Sequence, residues 1–431
     1  MIYNESKYNR NWKTKKLSQL GDFSRGKSKH RPRNDPRLFE GGGYPLVQTG
    51  EIKDANLYIT SHSQEYGEFG LKQSKLWDAE TLCITIAANI AETALLSYPV
   101  CFPDSVVGFK ANKNESSEKF MYYVFDYIRH AIQGAASGSI QDNINIEYLT
   151  SLDFKIPDKR VQDKIVQILF SLDNKIIVNQ KINDNLLQQF NAIYNYWFTQ
   201  YDFPSSNRCP YNSSGGKMQW NAQLKKNIPY GWKALKVSQC INRIATGLNP
   251  RDNFTLGHGQ IKYVTVKNLT TSGTLDFTGC DTINEEARSL VHKRSDIQVG
   301  DILFASIAPL GRCYLIQDPP NTWDINESVF TIRPDTKLVT SEYLYAYFIS
   351  EAFIRMATSS STGSIFKGIR INTLLDSFIV VPPCEFLQQF SMAVTSLLKQ
   401  RALICSESET LTNMRNWLLP MLMNGQATIA D

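Results

Sequence analysis

The chain is an internal duplication, and this repeat constrains the fold more than any other feature of the sequence. Six short segments recur in the same order, at an offset close to half of the 431 residues. The pairs are Lys16–Leu20 with Lys236–Cys240, Tyr44–Ile52 with Ile261–Leu269, Thr81–Ala87 with Asp301–Ala308, Ser117–Ile128 with Thr340–Ile349, Gly138–Ile140 with Gly363–Ile365, and Ile144–Pro157 with Ile369–Pro382. Because six pairs in one order are hard to obtain by chance, the sequence predicts two copies of one module.

Each copy combines strand-like and helix-like segments. Short β-branched and aromatic runs are bounded by Gly, Asn, Asp and Pro, which is typical of strands. Apolar residues at helical spacing predict one helix near residues 117–132 and its mate near 341–357. The segments Tyr44–Ile52 and Ile261–Leu269 are interpreted as strands. Each module is therefore predicted to be a mixed α/β domain.

A proline and then a long helix follow each module. The helices are predicted at about Lys159–Thr199 and about Glu385–Leu419, with apolar residues three and four positions apart over several turns. Two helices of this length suit a rod that holds the modules at a fixed separation, although they can also simply cap the domains. The predicted fold class is α/β (α+β): two mixed α/β domains, two long helices forming an antiparallel coiled coil, and an internal pseudo-two-fold repeat.

The same pattern predicts the domain boundaries. They are residues 1–157 for the first module, 158–200 for the first long helix, 201–225 for a linker, 226–382 for the second module and 383–425 for the second long helix. The linker is interpreted as a loop because it is rich in Ser, Asn, Pro and Gly.

Composition limits the class of protein. A hydrophobic share of 42% with a net charge of +5 is ordinary for a globular protein, and permits a nucleic-acid partner without requiring one. The eight cysteines include no CxxC pair, which argues against zinc knuckles and disulfides. The sequence has no secretory signal at its start and no apolar run long enough to cross a membrane. We therefore expect a cytoplasmic protein without membrane contacts.

Several motifs resemble catalytic elements, but the segments around them lack the strands and helices that such elements require. GDFSRGKS (Gly21–Ser28) matches the phosphate-binding pattern GxxxxGK[ST], yet a polar segment precedes it, and Pro32 and Pro36 oppose a following helix. The second copy lacks the motif. FEGGG (Phe39–Gly43) and DPPN (Asp318–Asn321) resemble elements of amino-methyltransferases, but they lie in different copies of the module. The five histidines are isolated. We expect no enzymatic site, no metal site and no bound cofactor.

Segments rich in side chains that donate hydrogen bonds indicate nucleic-acid binding instead. Arg25–Arg37 carries six Lys/Arg and one acid, Asp35, and is interpreted as a flexible basic loop; a solvated surface loop is the alternative. Ala136–Asn143 and Ser359–Arg370 occupy equivalent positions and offer hydroxyl, amide and basic groups, although their hydroxyls can also cap the next element. The candidate DNA-binding residues are Arg25, Lys27, Lys29, Arg31, Arg33, Gln48, Ser137, Ser139, Gln141, Asn143, Asn249, Arg251, Lys267, Asn268, Arg312, Ser364, Lys367 and Arg370.

The layout resembles the specificity subunit of type I restriction–modification systems over nearly the full length. The resemblance rests on the module–helix order, on the paired GSI…IP elements, and on the stretches Tyr194–Pro204 and Gly215–Cys240; Trp197–Trp232 is its most specific part. It implies that each module is a target recognition domain reading one half of a split DNA site, and that the helices set the spacer. It also implies double-stranded DNA, two modification subunits and restriction/translocase subunits as partners. S-adenosylmethionine and ATP/Mg are expected on those partners.

Two other function classes stay open at this point. One is a free-standing bipartite DNA-binding protein or regulator, which would bind its site tightly without partner subunits. The other is an ATPase or a methyltransferase, which would bind ATP or S-adenosylmethionine by itself.

Overall fold

The structure, a computed structural model, describes residues 2–137, 145–205, 207, 209–307, 311–359 and 368–429. It divides into two compact units. Unit 1 comprises Met1–Val178 and Ser408–Asp431, and unit 2 comprises Asn179–Glu407. The long helices therefore contribute residues to both units, and each unit is described separately below.

Unit 1 contains eleven strands, four helices and the first part of a long helix, within the residues described. The strands are β1 (Lys13–Lys16), β2 (Gly21–Arg25), β3 (Tyr44–Leu46), β4 (Tyr58–Ile59), β5 (Gln64–Tyr66), β6 (Leu76–Trp77), β7 (Leu82–Thr85), β8 (Thr93–Leu96), β9 (Val100–Cys101), β10 (Val106–Ala111) and β11 (Asp153–Ile156). The helices are α1 (Thr49–Asp54), α2 (Glu68–Gln73), α3 (Glu118–Ser137), α4 (Ile146–Ser151) and the long α5 (Lys159–Tyr194).

These strands form three sheets. The largest has the order β2-β10-β7-β8-β4, the second has the order β5-β3-β9-β6, and β1 pairs with β11. The β3–β9 pair is parallel, whereas β2, β7 and β10 are antiparallel neighbours. Helix α3 packs against β7, β8 and β10, so that its apolar face and the largest sheet enclose the main core of the unit.

Unit 2 repeats most of this arrangement. Its strands are β12 (Met218–Asn221), β13 (Lys226–Pro229), β14 (Lys233–Lys236), β15 (Ile241–Thr246), β16 (Ile261–Val264), β17 (Asp281–Ile283), β18 (Ile302–Ala305), β19 (Cys313–Leu315), β20 (Trp323–Ile325), β21 (Val329–Pro334) and β22 (Phe378–Val381). Its helices are α6 (Glu285–Ser295), α7 (Ser341–Ile349), α8 (Glu351–Ser359), α9 (Ile371–Asp376) and the long α10 (Cys384–Met423), which begins in unit 2 and ends in unit 1.

The strand order confirms the predicted repeat. The sheet β15-β21-β18-β19 matches β2-β10-β7-β8, the β14–β22 pair matches β1–β11, and β17-β16-β20 matches β5-β3-β9. The β16–β20 pair is parallel, as β3–β9 is. The two units therefore share one mixed α/β topology, which confirms the predicted fold class.

The long helices run antiparallel in unit 2 and contact each other in unit 1. In unit 2, Asn183 of α5 accepts a hydrogen bond from Nε of Arg401 at 3.0 Å, and Asn179 donates to Glu407 at 2.7 Å. In unit 1, Asp173 of α5 accepts from Nε of Arg415 at 3.2 Å. As the position on α5 moves back from 183 to 179, the position of its partner on α10 moves forward from 401 to 407. This opposite progression is the register of an antiparallel pair.

Three local predictions were wrong. The segment Ile261–Leu269 is a strand only as far as Val264, because a 3-10 helical turn follows at Val266–Asn268. The segment Tyr44–Ile52 is a strand only as far as Leu46, because α1 begins at Thr49. Glu51 accepts a hydrogen bond from the backbone N–H of Gln48 at 2.9 Å, which stabilises the start of that helix. The single helix predicted near 341–357 is broken at Ser350, whose hydroxyl accepts from the N–H of Phe353 and so begins a new helix.

The most specific part of the family resemblance forms a buried aromatic cluster in unit 2. Phe198 lies in the helical turn that follows α5, with its ring centroid 4.6 Å from Tyr343 and 5.0 Å from Phe390. Phe203 stacks on Trp232 at 4.9 Å. These side chains are buried in the core, so this signature records packing between α5, α7 and α10 and not a reactive site.

The first residues described and the last helix are bonded to each other in unit 1. Asn4 donates to the carbonyl of Met423 at 2.6 Å, and Ser6 donates to the carbonyl of Asn424 at 2.6 Å. Asn4 and Met423 are both 1% exposed. The end of α10 is therefore a buried part of unit 1.

A buried ionic network fixes α10 to α3 and α5 in unit 1. The Arg415 guanidinium lies against the carboxylates of Asp126 and Asp173, and the hydroxyl of Tyr123 donates to Asp173 at 2.6 Å. Burial raises the pKa of Asp173, although Arg415 acts in the opposite direction. Removing one partner from such a network leaves uncompensated buried charge.

We expect Arg415→Ala to destabilise unit 1 by about 3–5 kcal/mol, because buried Asp173 would lose its cation and keep the Tyr123 hydroxyl, while Asp126 would keep its ion pair with Arg129. Urea unfolding followed by hydrogen–deuterium exchange in α3 measures this free energy. The matched control is Arg355→Ala, which removes an exposed ion pair with Glu351 in unit 2 and should change little. Equal losses in the two variants would contradict this role for the network.

Candidate nucleic-acid interface

The basic segment of unit 1 is anchored to the fold. Gly26 follows β2 and donates its N–H to the carbonyl of Val106 at 2.9 Å. Lys29 donates its N–H to the carbonyl of Gln73 at 3.1 Å, and the hydroxyl of Ser74 donates to the carbonyl of Lys27 at 3.0 Å. These bonds fix the backbone of the segment while the side chains of Lys27 and Lys29 stay exposed.

A glycine is required where this segment leaves the sheet. A Cβ on Gly26 would lie 2.3 Å from the carbonyl oxygens of Phe102 and Pro103, which is far inside contact distance. The backbone of the segment therefore packs directly on the residues that follow β9. Gln48 flanks the same strand, because the neighbouring Val47 N–H donates to the carbonyl of Cys101 at 2.9 Å.

Charges inside the segment divide into paired and unpaired groups. Arg33 contacts Asp104 at 2.6 Å and Arg31 contacts it at 3.7 Å, while Asp35 binds both His30 and Arg37 at 2.7 Å. Hydrogen bonds from Arg37 and His30 hold the pKa of Asp35 well below its usual value. Among the described residues, no carboxylate lies within 4.0 Å of the side-chain nitrogens of Arg25, Lys27 or Lys29.

Two lysines extend this basic surface and were not predicted. Lys72 and Lys75 are exposed and flank Gln73 and Ser74, which bind the backbone of the basic segment. The ammonium of Lys75 lies 3.5 Å from the ring centroid of Trp77. Sequence reasoning missed them because they lie 35 and 38 residues beyond the end of the segment at Arg37, and only the fold brings them together.

Gln48 has an exposed side chain whose amide N–H donates to Gln64 at 2.7 Å. It precedes the first turn of α1. A glutamine here can still offer its second amide hydrogen and its oxygen to a ligand.

Unit 2 has a counterpart to the basic segment, with different chemistry. Gly247 follows β15 as Gly26 follows β2, and donates its N–H to the carbonyl of Asn326 at 3.1 Å. A Cβ there would lie 1.7 Å from the carbonyl oxygen of Ile325. Asn249 and Arg251 follow; Arg251 is exposed, and the carbonyl of Asn249 accepts from Asn253 at 3.0 Å. The two units thus share an anchor, which is the hydrogen-bonded glycine at position 26 or 247. They differ in the side chains that follow it.

Lys267, Asn268 and Arg312 come together beside a cleft of 330 Å³. Lys267 and Asn268 line this cleft, and Arg312 donates to the carbonyl of the adjacent Val266 at 3.3 Å. Lys267 is exposed. Asn268 is only 6% exposed and uses its amide internally, donating to the carbonyl of Asp276 and accepting from the N–H of Thr265, both at 2.8 Å. A base contact by Asn268 would have to replace these bonds.

Arg370 lies next to the end of β18. The preceding residue, Ile369, donates its N–H to the carbonyl of Ser306 at 2.9 Å, and Gly368 forms a bridge with Ile307, which lines the same cleft. Arg370 is exposed and directly precedes α9. Unit 2 thus places Lys267, Arg312 and Arg370 around one end of its central sheet.

The remaining candidates fall at the edge of the described residues or beyond it. Ser137 is the last residue of α3. Ser139, Gln141, Asn143, Ser364 and Lys367 lie outside the described residues. The assignment of all eighteen candidates to DNA contacts stays a prediction.

The structure places the catalytic look-alikes in other settings. Within GDFSRGKS, Gly21–Arg25 is the strand β2, so the motif does not form a loop between a strand and a helix. Among the residues that the structure describes, no group of three or more His, Cys, Asp or Glu side chains is placed to hold a metal ion. Within the same residues, no helix is long and apolar enough to cross a membrane.

Comparison with known proteins agrees with this geometry. The family model of the type I restriction modification DNA specificity domain matches residues 9–188. The MjaIX specificity subunit of Methanocaldococcus jannaschii is 20% identical over 98% of this chain and 95% of its own length. The HindI specificity subunit of Haemophilus influenzae is 22% identical over 94% of this chain and 98% of its own.

The fold is also shared with a solved structure. The S subunit of the type I restriction–modification system from M. genitalium aligns over 100% of both chains with a TM-score of 0.59, at 14% identity. The repeated α/β modules and the long helices thus form a fold that this chain shares with that S subunit. By sequence, the chain is similar over nearly its full length to two type I restriction–modification specificity subunits.

We expect Arg31→Ala/Arg33→Ala to weaken DNA binding and to flatten its salt dependence by about 0.9 per lost phosphate contact. Titration of a labelled duplex at several salt concentrations measures the slope. Asp104→Asn is the matched opposite change, because it releases both guanidiniums from their carboxylate, and it should tighten binding. An unchanged slope in the double variant would remove these arginines from the interface.

Proposed function

We propose that this chain is the sequence-specific DNA-binding subunit of a type I restriction–modification complex. It reads a bipartite, asymmetric site and docks the modification and restriction subunits. The observation that carries this proposal is the duplicated scaffold with different side chains on equivalent anchors. After Gly26 come Lys27, Lys29 and Arg31, whereas after Gly247 come Asn249 and Arg251.

This difference accounts for an asymmetric site. Lysine and arginine donate to guanine edges or to phosphates, whereas asparagine can bind adenine in a bidentate manner. Two identical modules would read two identical half-sites. Because the scaffold is kept and the exposed donors are changed, each module presents its own pattern of donors to DNA.

The catalytic steps belong to partner subunits. Two modification subunits are expected to bind S-adenosylmethionine and to methylate adenine, and restriction subunits are expected to use ATP and Mg²⁺. The residues of this chain bind and position DNA and hold the complex together. The long helices, each with residues in both units, are the proposed spacer and docking elements.

Deletion of the gene tests this function. Long-read methylome sequencing of the host should show one split adenine motif, with an unread spacer, that disappears on deletion and returns with the gene. The control is every other methylated motif in the same genome, which should persist. If no split motif is lost, the proposed function is wrong.

Lengthening both helices tests their spacer role. A seven-residue insertion after Val178 of α5, matched by one after Glu407 of α10, preserves the helical phase closely and adds about 10 Å. At about 3.4 Å per base pair, the spacer should grow by about three base pairs while both half-sites stay the same. Methylome sequencing reads this directly, and a changed half-site would contradict the spacer role.

An insertion in α5 alone is the control. It should disturb the Asn179–Glu407 and Asn183–Arg401 contacts and reduce methylation without defining a new spacer.

A further inference from the structure

The stretch between Asp202 and Asp252 contains no acidic residue. It carries eight basic residues, whereas the whole chain has nearly balanced totals of 46 Lys+Arg and 41 Asp+Glu. The eight are Arg208, Lys217, Lys225, Lys226, Lys233, Lys236, Arg243 and Arg251. Such local imbalance indicates a surface with an anionic partner.

A two-stranded hairpin occupies the centre of this stretch. Strands β12 and β13 pair with Gln219 opposite Ile228. Ile228 is fully buried, and the Gln219 side chain donates to the carbonyl of Trp232 at 2.9 Å. One face of the hairpin is therefore fixed to the core of unit 2. Residues 217–233, the hairpin with its flanks, are called the basic hairpin below.

The basic hairpin also exposes two aromatic rings. Trp220 alternates with the inward Gln219 and is 65% exposed, and Tyr230, just after β13, is 59% exposed. The ammonium of Lys217 lies 3.9 Å from the Tyr230 ring centroid, and the Tyr230 N–H donates to the Lys217 carbonyl at 2.9 Å. Exposed aromatic rings leave apolar surface in contact with water, and such surface often marks an interaction site. Lysines beside the rings add positive charge to that surface.

The lysines of the basic hairpin are unpaired. Lys217, Lys225, Lys226 and Lys233 are exposed, and no carboxylate among the described residues lies within 4.0 Å of their ammonium groups. Just beyond the hairpin, by contrast, Lys236 contacts Asp376 at 2.7 Å. Four exposed lysines without a carboxylate partner thus lie in the same short segment as two exposed aromatic rings, and one of them, Lys217, contacts the Tyr230 ring.

The first module begins with related chemistry. Tyr8 is 51% exposed, and the ammonium of Lys7 lies 5.0 Å from its ring centroid. Arg10 and Lys13 are exposed nearby in sequence. An exposed tyrosine beside a lysine therefore precedes each of the matched strands β1 and β14, although one segment is a hairpin and the other is not.

We propose that the basic hairpin binds the phosphate backbone of double-stranded DNA without reading its sequence. This inference rests on the proposed function, since it adds a second contact to the same ligand. Ammonium groups neutralise phosphates and release counterions, and the Tyr230 hydroxyl and the Trp220 indole N–H are further donors to phosphate oxygens. A duplex supplies closely spaced anionic groups regardless of sequence, which matches four exposed lysines in one short segment.

The test compares two double variants with the same loss of charge. Lys225→Gln/Lys226→Gln changes the hairpin, and Lys293→Gln/Lys337→Gln changes two exposed lysines elsewhere in unit 2. Each full-length chain, assembled with its partner subunits, is titrated with two duplexes, one carrying the methylated motif and one with the motif scrambled. A matching thermal transition and unchanged partner co-purification show that the variants are folded and assembled.

We expect the hairpin variant to reduce the salt slope on both duplexes by up to about 1.8, at about 0.9 for each of two phosphate contacts. The preference for the motif duplex should stay unchanged, and the control variant should match the unmodified chain. Trp220→Ala should weaken binding to both duplexes equally, and Trp220→Tyr should restore part of the loss.

Three results would overturn the hairpin contact: an unchanged slope in the hairpin variant, an equal fall in the control, or loss of partner subunits from the hairpin variant with its slope preserved. The last would assign the surface to a protein partner. If the unmodified complex fails to prefer the motif duplex while the hairpin variant still loses slope, the proposed function fails and the hairpin contact stands.

Discussion

Buried polar contacts of α10 are the interaction on which both units depend. Arg415 lies against two aspartates in unit 1, and Arg401, only 4% exposed, binds Asn183 and the carbonyl of Ser272 in unit 2. An arginine held this way requires its partners at set positions, because displacement leaves a buried charge without compensation. One helix therefore has its register fixed in both units by side chains that apolar packing alone would not position.

The repeated scaffold separates structure from recognition. Gly26 lets the chain pass close to the residues that follow β9, and Gly247 lets it pass close to the end of β20. Each glycine also donates its backbone N–H to the fold. Side chains beyond each anchor change while the anchor stays the same. The exposed hydrogen-bond donors can thus differ between the modules without altering the sheet order, which is what the proposed reading of two different half-sites requires.

The sequence was sufficient for the order of elements and insufficient for their tertiary contacts. Paired segments such as Thr81–Ala87 and Asp301–Ala308 contain equivalent strands, β7 and β18, because buried β-branched and aromatic runs follow the same pattern in both copies. The break at Ser350 was missed because apolar spacing continues across it, and only the cap contact with Phe353 shows it. Lys75 and Asp104 joined the basic surface through folding, since neither lies in a recognisable motif. Strand β12 lies within the segment 201–225, which was predicted to be a linker.

The discontinuity of unit 1 has a consequence for biosynthesis. Unit 2 is one uninterrupted stretch, Asn179–Glu407, whereas unit 1 needs residues from Ser408 onward, including Arg415 and Met423. During translation, the first module therefore emerges before the helix that completes its core. The residues of unit 2, by contrast, are synthesised one after another without an intervening segment. The module that is synthesised first is therefore completed last. Asp126 and Asp173 cannot pair with Arg415 until translation has passed residue 415.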